Sequence, residues 1–254
     1  LSGSGTAQLD LLYGQGAVAS SNTSDYTIAK NSSGFSAKVD LPVGENFSTK
    51  LGSDGSTVSY TVVDNLSSLT NANVNYALGS DIDATARASS QYVLSNSNST
   101  IDGLGHTIEG LTLAWTNANG TGFVGNSGSG FAIKNLGLTN INYSHSLGRD
   151  TRSVMGAFLG SCGTECYIGN SYATGTMSGG MNIGGLIGQL WYTDTATINN
   201  SSFTGTITAT HYTGGLIGYI PQSNLSSRSV TINNSKASAN IYAIGGGTTD
   251  SPDG

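Results

Sequence analysis

Asp81, Asp83 and Asp102 form the tightest acidic group in the chain. Carboxylates gathered on one exposed face are what a polysaccharide lyase or glycosidase requires. Asp81 and Asp83 alternate about Ile82, so on a strand both point one way and Ile82 points the other. The acids do not recur at the matching positions 133–138, 168–173 or 198–203, and no Arg or Lys accompanies them in sequence. The expectation is a solvated pair flanking a core isoleucine. His106, His145 and His211 fall in separate segments without ligand spacing, and His106 reads as a corner residue between Gly105 and Thr107. Ser127-Gly128-Ser129-Gly130 is a glycine-rich turn with no helix after it, so it does not cradle phosphate. No catalytic residue, metal or cofactor is expected, and the chemistry points to binding.

Cys162 and Cys166 are separated by Gly163-Thr164-Glu165. A tetrahedral metal site needs about four ligands. No further cysteine exists to supply the others, which leaves recruitment of residues such as His145 and His211. Redox pairs normally sit two residues apart at a helix start. A disulfide stapling a small loop is the better expectation, and it suits an extracytoplasmic location.

Binding has two candidate sources. Aromatic residues gather where the sequence varies: Trp191, Tyr192, Tyr212 and Tyr219. Exposed aromatic rings stack on sugars and anchor interfaces. The competing expectation packs Trp191 and Tyr219 inside. Arg149-Asp150-Thr151-Arg152 is an insertion whose Arg149 and Arg152 are candidate recognition residues.

The elements that must position these residues are written in a repeat. Ile133-Lys134-Asn135, Ile168-Gly169-Asn170, Ile198-Asn199-Asn200 and Ile232-Asn233-Asn234 recur at intervals of 35, 30 and 34 residues. Glycine-framed blocks follow, Gly184-Gly185-Leu186-Ile187-Gly188 and Gly214-Gly215-Leu216-Ile217-Gly218, with a looser copy at Gly156-Ala157-Phe158-Leu159-Gly160. A fixed period of this size marks a solenoid, whose units bury their apolar faces only by stacking. Within one repeat Thr197–Phe203, Gly205–Thr210 and Gly214–Ile220 read as three strands, each about 15–20 Å long. Three such strands close a triangular coil. The fold expected is all-β, a right-handed parallel β-helix, with length variation confined to one corner at 191–195 and 221–229. Ile198 then faces the interior. Asn135, Asn170, Asn200 and Asn234 are expected to form an amide ladder at a coil corner. Ile108–Leu113 matches Ile133–Leu138, 25 residues on, which starts the stacking before the clear repeats.

Three regions follow: an irregular β region over 1–65, the β-helix over 66–247 and a tail over 248–254. The best strands of the first region are Leu9–Tyr13, Phe35–Leu41 and Thr57–Val63. Charged residues make up only 9 % of the chain and prolines number 3, which argues against disorder. A net charge of −6 excludes the clustered basic face that nucleic acid requires. No apolar run reaches the roughly 20 residues of a membrane span. Leu1-Ser2-Gly3-Ser4-Gly5 reads like the middle of a longer protein.

Asn170-Ser171-Tyr172-Ala173-Thr174-Gly175-Thr176 and the Gly184–Gly188 block resemble the GLUG repeat of filamentous-haemagglutinin-like adhesins of Gram-negative bacteria. Ile101-Asp102-Gly103-Leu104-Gly105-His106-Thr107-Ile108 is similar to a segment that recurs in those proteins. The likeness extends over roughly residues 5–245. It implies a monomeric segment of an exported adhesin, secreted or held at the cell surface, acting as a stalk and attaching to host cells or biofilm. The partners it implies are a surface glycan or receptor and, for the parent chain, an outer-membrane secretion partner. The cysteine pair departs from the family's habit. A carbohydrate-active β-helix enzyme and a passive spacer are the alternatives.

Overall fold

The computed structural model describes residues 8–18, 22–87, 90–115, 120–145, 153–191, 195–221 and 228–243. The chain winds as a parallel β-helix with three faces. The first stacks Tyr76–Leu78, Thr100–Asp102, Phe131–Lys134, Glu165–Gly169, Thr195–Asn199 and Ser229–Asn233. The second stacks Ile82–Asp83, Thr107–Glu109, Gly137–His145, Tyr172–Ser178, Ser202–Ala209 and Lys236–Ala243. The third begins with Tyr92–Ser97 and the long strand Gly120–Ser127. In later coils its place is shared by two short strands, such as Asn182–Gly184 and Ile187–Leu190.

Register explains the interior. Parallel pairing without slippage aligns Ile101, Ile133, Ile168 and Ile198 in one column. Ile82, Ile108, Leu138, Ala173 and Phe203 form a second column, and Leu94, Val124, Leu159 and Ile187 a third. All of these side chains are buried. Each large aliphatic or aromatic member contributes about 1.5–3 kcal/mol of transfer free energy, so neighbouring coils stabilise each other through every column. Ile133 stacks on Ile101, not on Ile108, which itself lies between Ile82 and Leu138. The 25-residue match between Ile108–Leu113 and Ile133–Leu138 therefore joins strands of different faces; apolar alternation alone does not distinguish one face from the next.

The corner between the first and second faces is set by asparagine. Asn135, Asn170, Asn200 and Asn234 adopt φ of 51°, 46°, 47° and 47°, a left-handed conformation that asparagine tolerates better than most residues with a Cβ. Asn170 Nδ2 donates to Asn135 Oδ1 at 2.8 Å and Asn200 Nδ2 to Asn170 Oδ1 at 2.7 Å. The ladder starts on a carboxylate, with Asn135 Nδ2 donating to Asp102 Oδ1 at 3.2 Å. A serine row runs beside it: the amides of Leu136, Ser171 and Ser201 donate to the hydroxyls of Ser171, Ser201 and Ser235. The chain thus turns at Asn200-Ser201 and not at Gly205, which lies inside Ser202–Ala209. Gly205 has φ 153°, and a Cβ there would sit 1.9 Å from the carbonyl oxygen of Gly175 one coil away. Close backbone approach, not a turn, accounts for that glycine.

The N-terminal residues extend and strap the helix. Gln8–Tyr13 pairs in parallel with Asn46–Leu51, which pairs antiparallel with Thr57–Val63, which pairs in parallel with Tyr76–Leu78. The first sheet therefore runs without a break across position 65. Residues 25–41 lie along the asparagine corner. The strap descends as Ile28 N donates to Asn135 Oδ1 at 3.0 Å, Asn170 Nδ2 donates to Ile28 O at 2.8 Å and Lys30 Nζ donates to Asn200 O at 2.5 Å. It reverses in a short hairpin, Lys30–Asn31 against Gly34–Phe35. It then climbs back, with Val39 N donating to Leu104 O and Leu41 N to Gly79 O, both at 3.0 Å. Of the expected strand Phe35–Leu41 only Phe35 joins a ladder, as the end of Gly34–Phe35. The rest makes single bonds to the corner.

Candidate functional site

The third face carries polar side chains in register, exposed at Asn96, half-buried at Asn126 and Gln189 and buried at Ser161 and Asn182. Pairing aligns Asn96, Asn126, Ser161, Gln189 and Tyr219 in one row. The row is hydrogen-bonded in stretches: Asn126 Nδ2 donates to Asn96 Oδ1 at 3.3 Å and Gln189 Nε2 to Ser161 Oγ at 3.2 Å. A parallel row places Tyr212 on Asn182. Across the two rows Asn182 Nδ2 donates to Gln189 Oε1 at 3.0 Å. One coil further the same two positions hold Tyr212 and Tyr219, whose ring centroids lie 4.7 Å apart with planes tilted by 33°. Tyr212 is 50 % exposed and Tyr219 half-buried. The result is a platform of two rings at the end of an amide-lined strip.

Trp191 lies two residues past Gln189 and is 43 % exposed. Its carbonyl and that of Pro221 both accept hydrogen bonds from Arg228, which fixes the corner next to the platform. Trp191 is therefore exposed, against the competing expectation that packs it inside, while Tyr219 is half-buried. Tyr192, Arg149 and Arg152 lie outside the described residues. Arg228 has no repeat signal in the sequence, and its role follows from backbone carbonyls converging at one corner.

A second concavity lies where the strap hairpin meets the second face. It encloses about 760 Å³ between Lys30, Asn31, Asn140, Thr174, Thr204 and Lys236. Burial, reinforced by the charge of Lys236, brings the Lys30 ammonium down to about 8. Its Nζ is already committed to the Asn200 carbonyl.

The acidic residues do not converge. Asp83 caps its own turn by accepting from the amide and hydroxyl of Thr85, which holds its carboxyl below the usual range. Asp81 is not simply solvated. It pairs with Lys38, accepts from Thr107 N at 2.8 Å and lies 3.3 Å from His106 Nδ1. Partial burial raises its pKa, but the Lys38 and Thr107 bonds outweigh that and leave it lowered. Asp102 is fully buried. Its register partner in the next coil is Lys134, so a lysine does accompany the acids, in space and not in sequence. Lys134 Nζ lies 3.2 Å from Asp25 and 3.7 Å from Asp102, with the rings of Tyr13, Tyr26 and Tyr60 at 5.9, 4.7 and 6.0 Å. Tyr26 donates its hydroxyl to Asp102. Removal from water pushes the Asp102 carboxyl upward. The sequence signal for this cluster is a charge at a corner where the other coils place Gly169, Asn199 and Asn233.

His106 is buried, with Nε2 2.9 Å from the Val39 carbonyl; it holds the returning strap. His145 is buried in another coil, and His211 Nδ1 lies 3.0 Å from the Thr210 hydroxyl. Among the described residues no three His, Cys, Asp or Glu gather in a metal-binding group. Cys162 and Cys166 form a disulfide with Cα atoms 5.9 Å apart, closing the loop that leads into Glu165–Gly169.

Residues 179–208 match the GLUG motif. That stretch makes one circuit of the helix and includes Asn182, Gln189, Trp191 and the corner Asn200. A stretch of 91 residues is 34 % identical to halomucin of Haloquadratum walsbyi, covering 36 % of this chain and 1 % of halomucin. A candidate immunoglobulin A1 protease from Bacteroides ovatus superposes with a TM-score of 0.51 at 20 % identity, over 72 % of this chain and 67 % of that one. An IgA1 protease superposes with a TM-score of 0.42 at 16 % identity, over 81 % of this chain and 23 % of that one. The likeness to the Bacteroides protein is one of fold: a β-helix built on the same stacked coils.

Proposed function

We propose that this chain is a segment of a surface-associated repeat protein that attaches to carbohydrate through the Tyr212–Tyr219 edge. The single observation that carries the reading is the tilted ring pair, set on a rigid ladder and open to solvent on one side. Sugar rings present C–H faces that pack on aromatic π-systems, while their hydroxyls take side-chain amides such as that of the half-buried Gln189. The coil below holds the platform in register, so little ordering is needed when a glycan arrives. The GLUG motif and the likeness to halomucin support an extracellular setting, which the disulfide suits.

The parent molecule in this reading is an exported adhesin of the filamentous-haemagglutinin type from a Gram-negative bacterium, handed across the outer membrane by a secretion partner. The segment acts as a monomer, attaches to host or biofilm glycans and catalyses nothing. An array of host and bacterial glycans tests it, using wild type and the Tyr212→Ala, Tyr219→Ala double variant. A defined hit that the double variant loses is the expected result. A blank array turns the reading to a passive spacer, and a hit that survives the double variant moves the site elsewhere.

A further inference from the structure

Lys134, Asp25 and Asp102 do more than neutralise one another. The side chain of Lys134 is 7 % exposed, that of Asp25 26 % and that of Asp102 0 %. Lys134 Nζ stands 3.2 Å from both carboxylate oxygens of Asp25, so the amine is held against the carboxyl group as a whole. Asp102 is 3.7 Å from the same nitrogen and is fixed by Tyr26, the Leu104 amide and Asn135. Three tyrosine rings close over the ammonium and keep bulk water away. Asp25 belongs to the strap and Lys134 to the helix, 109 residues apart in sequence.

Two carboxyl groups and one amine, with Asp25 alone reaching solvent to any extent, have a lower-energy arrangement than a largely buried ion pair. Condensing an amine with a carboxylic acid removes two charges whose desolvation costs several kcal/mol per ion, and it releases a water into bulk. Holding both groups in contact supplies effective molarities on the order of 10⁵–10⁸ M. We propose that Lys134 and Asp25 are joined by an intramolecular isopeptide bond, formed without an enzyme and with Asp102 as the acid that assists it. The bond would weld the strap to the helix.

The step balances without an added reagent. One proton passes from the Lys134 ammonium to the Asp25 carboxylate, which leaves a neutral amine beside a neutral acid. The Nζ lone pair attacks Asp25 Cγ. Asp102, protonated, gives its proton to the departing hydroxyl and recovers one from the nitrogen. A C–N bond forms, a C–O bond breaks, and one water leaves. Burial favours the protonated form of Asp102, as this role requires. Burial also disfavours the Lys134 charge, while Asp102 and Asp25 together restore it. The reactive neutral amine is therefore the minor form, and the reaction is a slow maturation after folding and not a fast step.

Intact mass spectrometry of the full chain, denatured and with its disulfide reduced, decides the matter. The expected mass is lighter than the sequence mass by one water, about 18 Da. A digest should contain one branched peptide joining Asp25 to Lys134. Lys134→Arg and Asp25→Ala should each return the full sequence mass. Asp102→Asn, folded as judged by circular dichroism, should keep the full mass for at least 10-fold longer than wild type. A wild-type mass equal to the sequence mass overturns the proposal, whatever the variants do. A branch to Asp102 in place of Asp25 overturns the assignment of acceptor and acid.

Discussion

The strapped corner and the aromatic edge are built on the same coils and use their polar residues in opposite ways. At the corner the amides of Asn135, Asn170 and Asn200 bond a neighbouring coil, the strap or both, and Asp102 and Lys134 face each other within the stack. At the edge the amide strip ends in two rings with no coil packed over them among the described residues. A corner whose donors and acceptors are already paired has little left for a ligand. An edge that exposes rigid aromatic area has much. In the proposed reading, binding belongs where the repeat pattern lapses, and stability where it is kept.

The sharpest way to break that comparison is in the core. Ile198 and Ile232 occupy the same position in successive coils, yet Ile198 is 0 % exposed and Ile232 46 %. Ile198→Asp should lose on the order of 4 kcal/mol in urea denaturation, because it places an unpaired charge in an apolar column. Ile232→Asp should stay within about 1 kcal/mol. Equal losses would mean that the last coil is covered as fully as the one above it.

The corner gives the next effect. Asn170→Ala removes bonds to Asn135 and to the Ile28 carbonyl and puts alanine at a left-handed φ, so a loss of about 2–3 kcal/mol is expected. Asn234→Ala, at the last corner, should lose distinctly less. Cys166→Ser opens a very short loop, and chain entropy predicts a loss of about 2 kcal/mol in thermal melts.

A pH titration separates the strap's two ends. Folded Lys30 titrates near 8 against 10.5 for a free lysine. Between these values the unfolded chain holds more proton, so stability should rise as pH climbs from about 8 to about 10.5. Lys30→Met should flatten that rise. An unaltered slope in the variant would assign it to other groups. The smallest effect belongs to the edge: Tyr212→Ala should change stability by less than about 1 kcal/mol while abolishing glycan binding. A large loss of stability there would make the rings structural.

Much of this was legible in the sequence because a repeat writes the same instruction several times. The isoleucine column, the left-handed asparagines and the cysteine loop all rest on local pattern or on identical residues at a fixed period. Gly205 shows where local reading fails, since a glycine needed for backbone contact between coils looks the same as one needed for a turn. The match of Ile108 with Ile133 fails for a related reason: strands of the first and second faces both alternate buried apolar and more exposed residues. The strap was not legible. Asp25, Tyr26 and Ile28 each occur once, and their partners Lys134, Asp102 and Asn135 lie 76 to 109 residues away. The exposure of Trp191 and the partial burial of Tyr219 were equally hidden, because an aromatic after a glycine-rich block suits a core or a surface.

The most direct test of the central claim is hydrogen–deuterium exchange with and without a glycan selected on the array. The account predicts added protection at 182–190 and 212–219, with the strap over 25–41 unchanged. Protection centred on the strap hairpin and the groove at Lys30 and Lys236, or none on the third face, would contradict it.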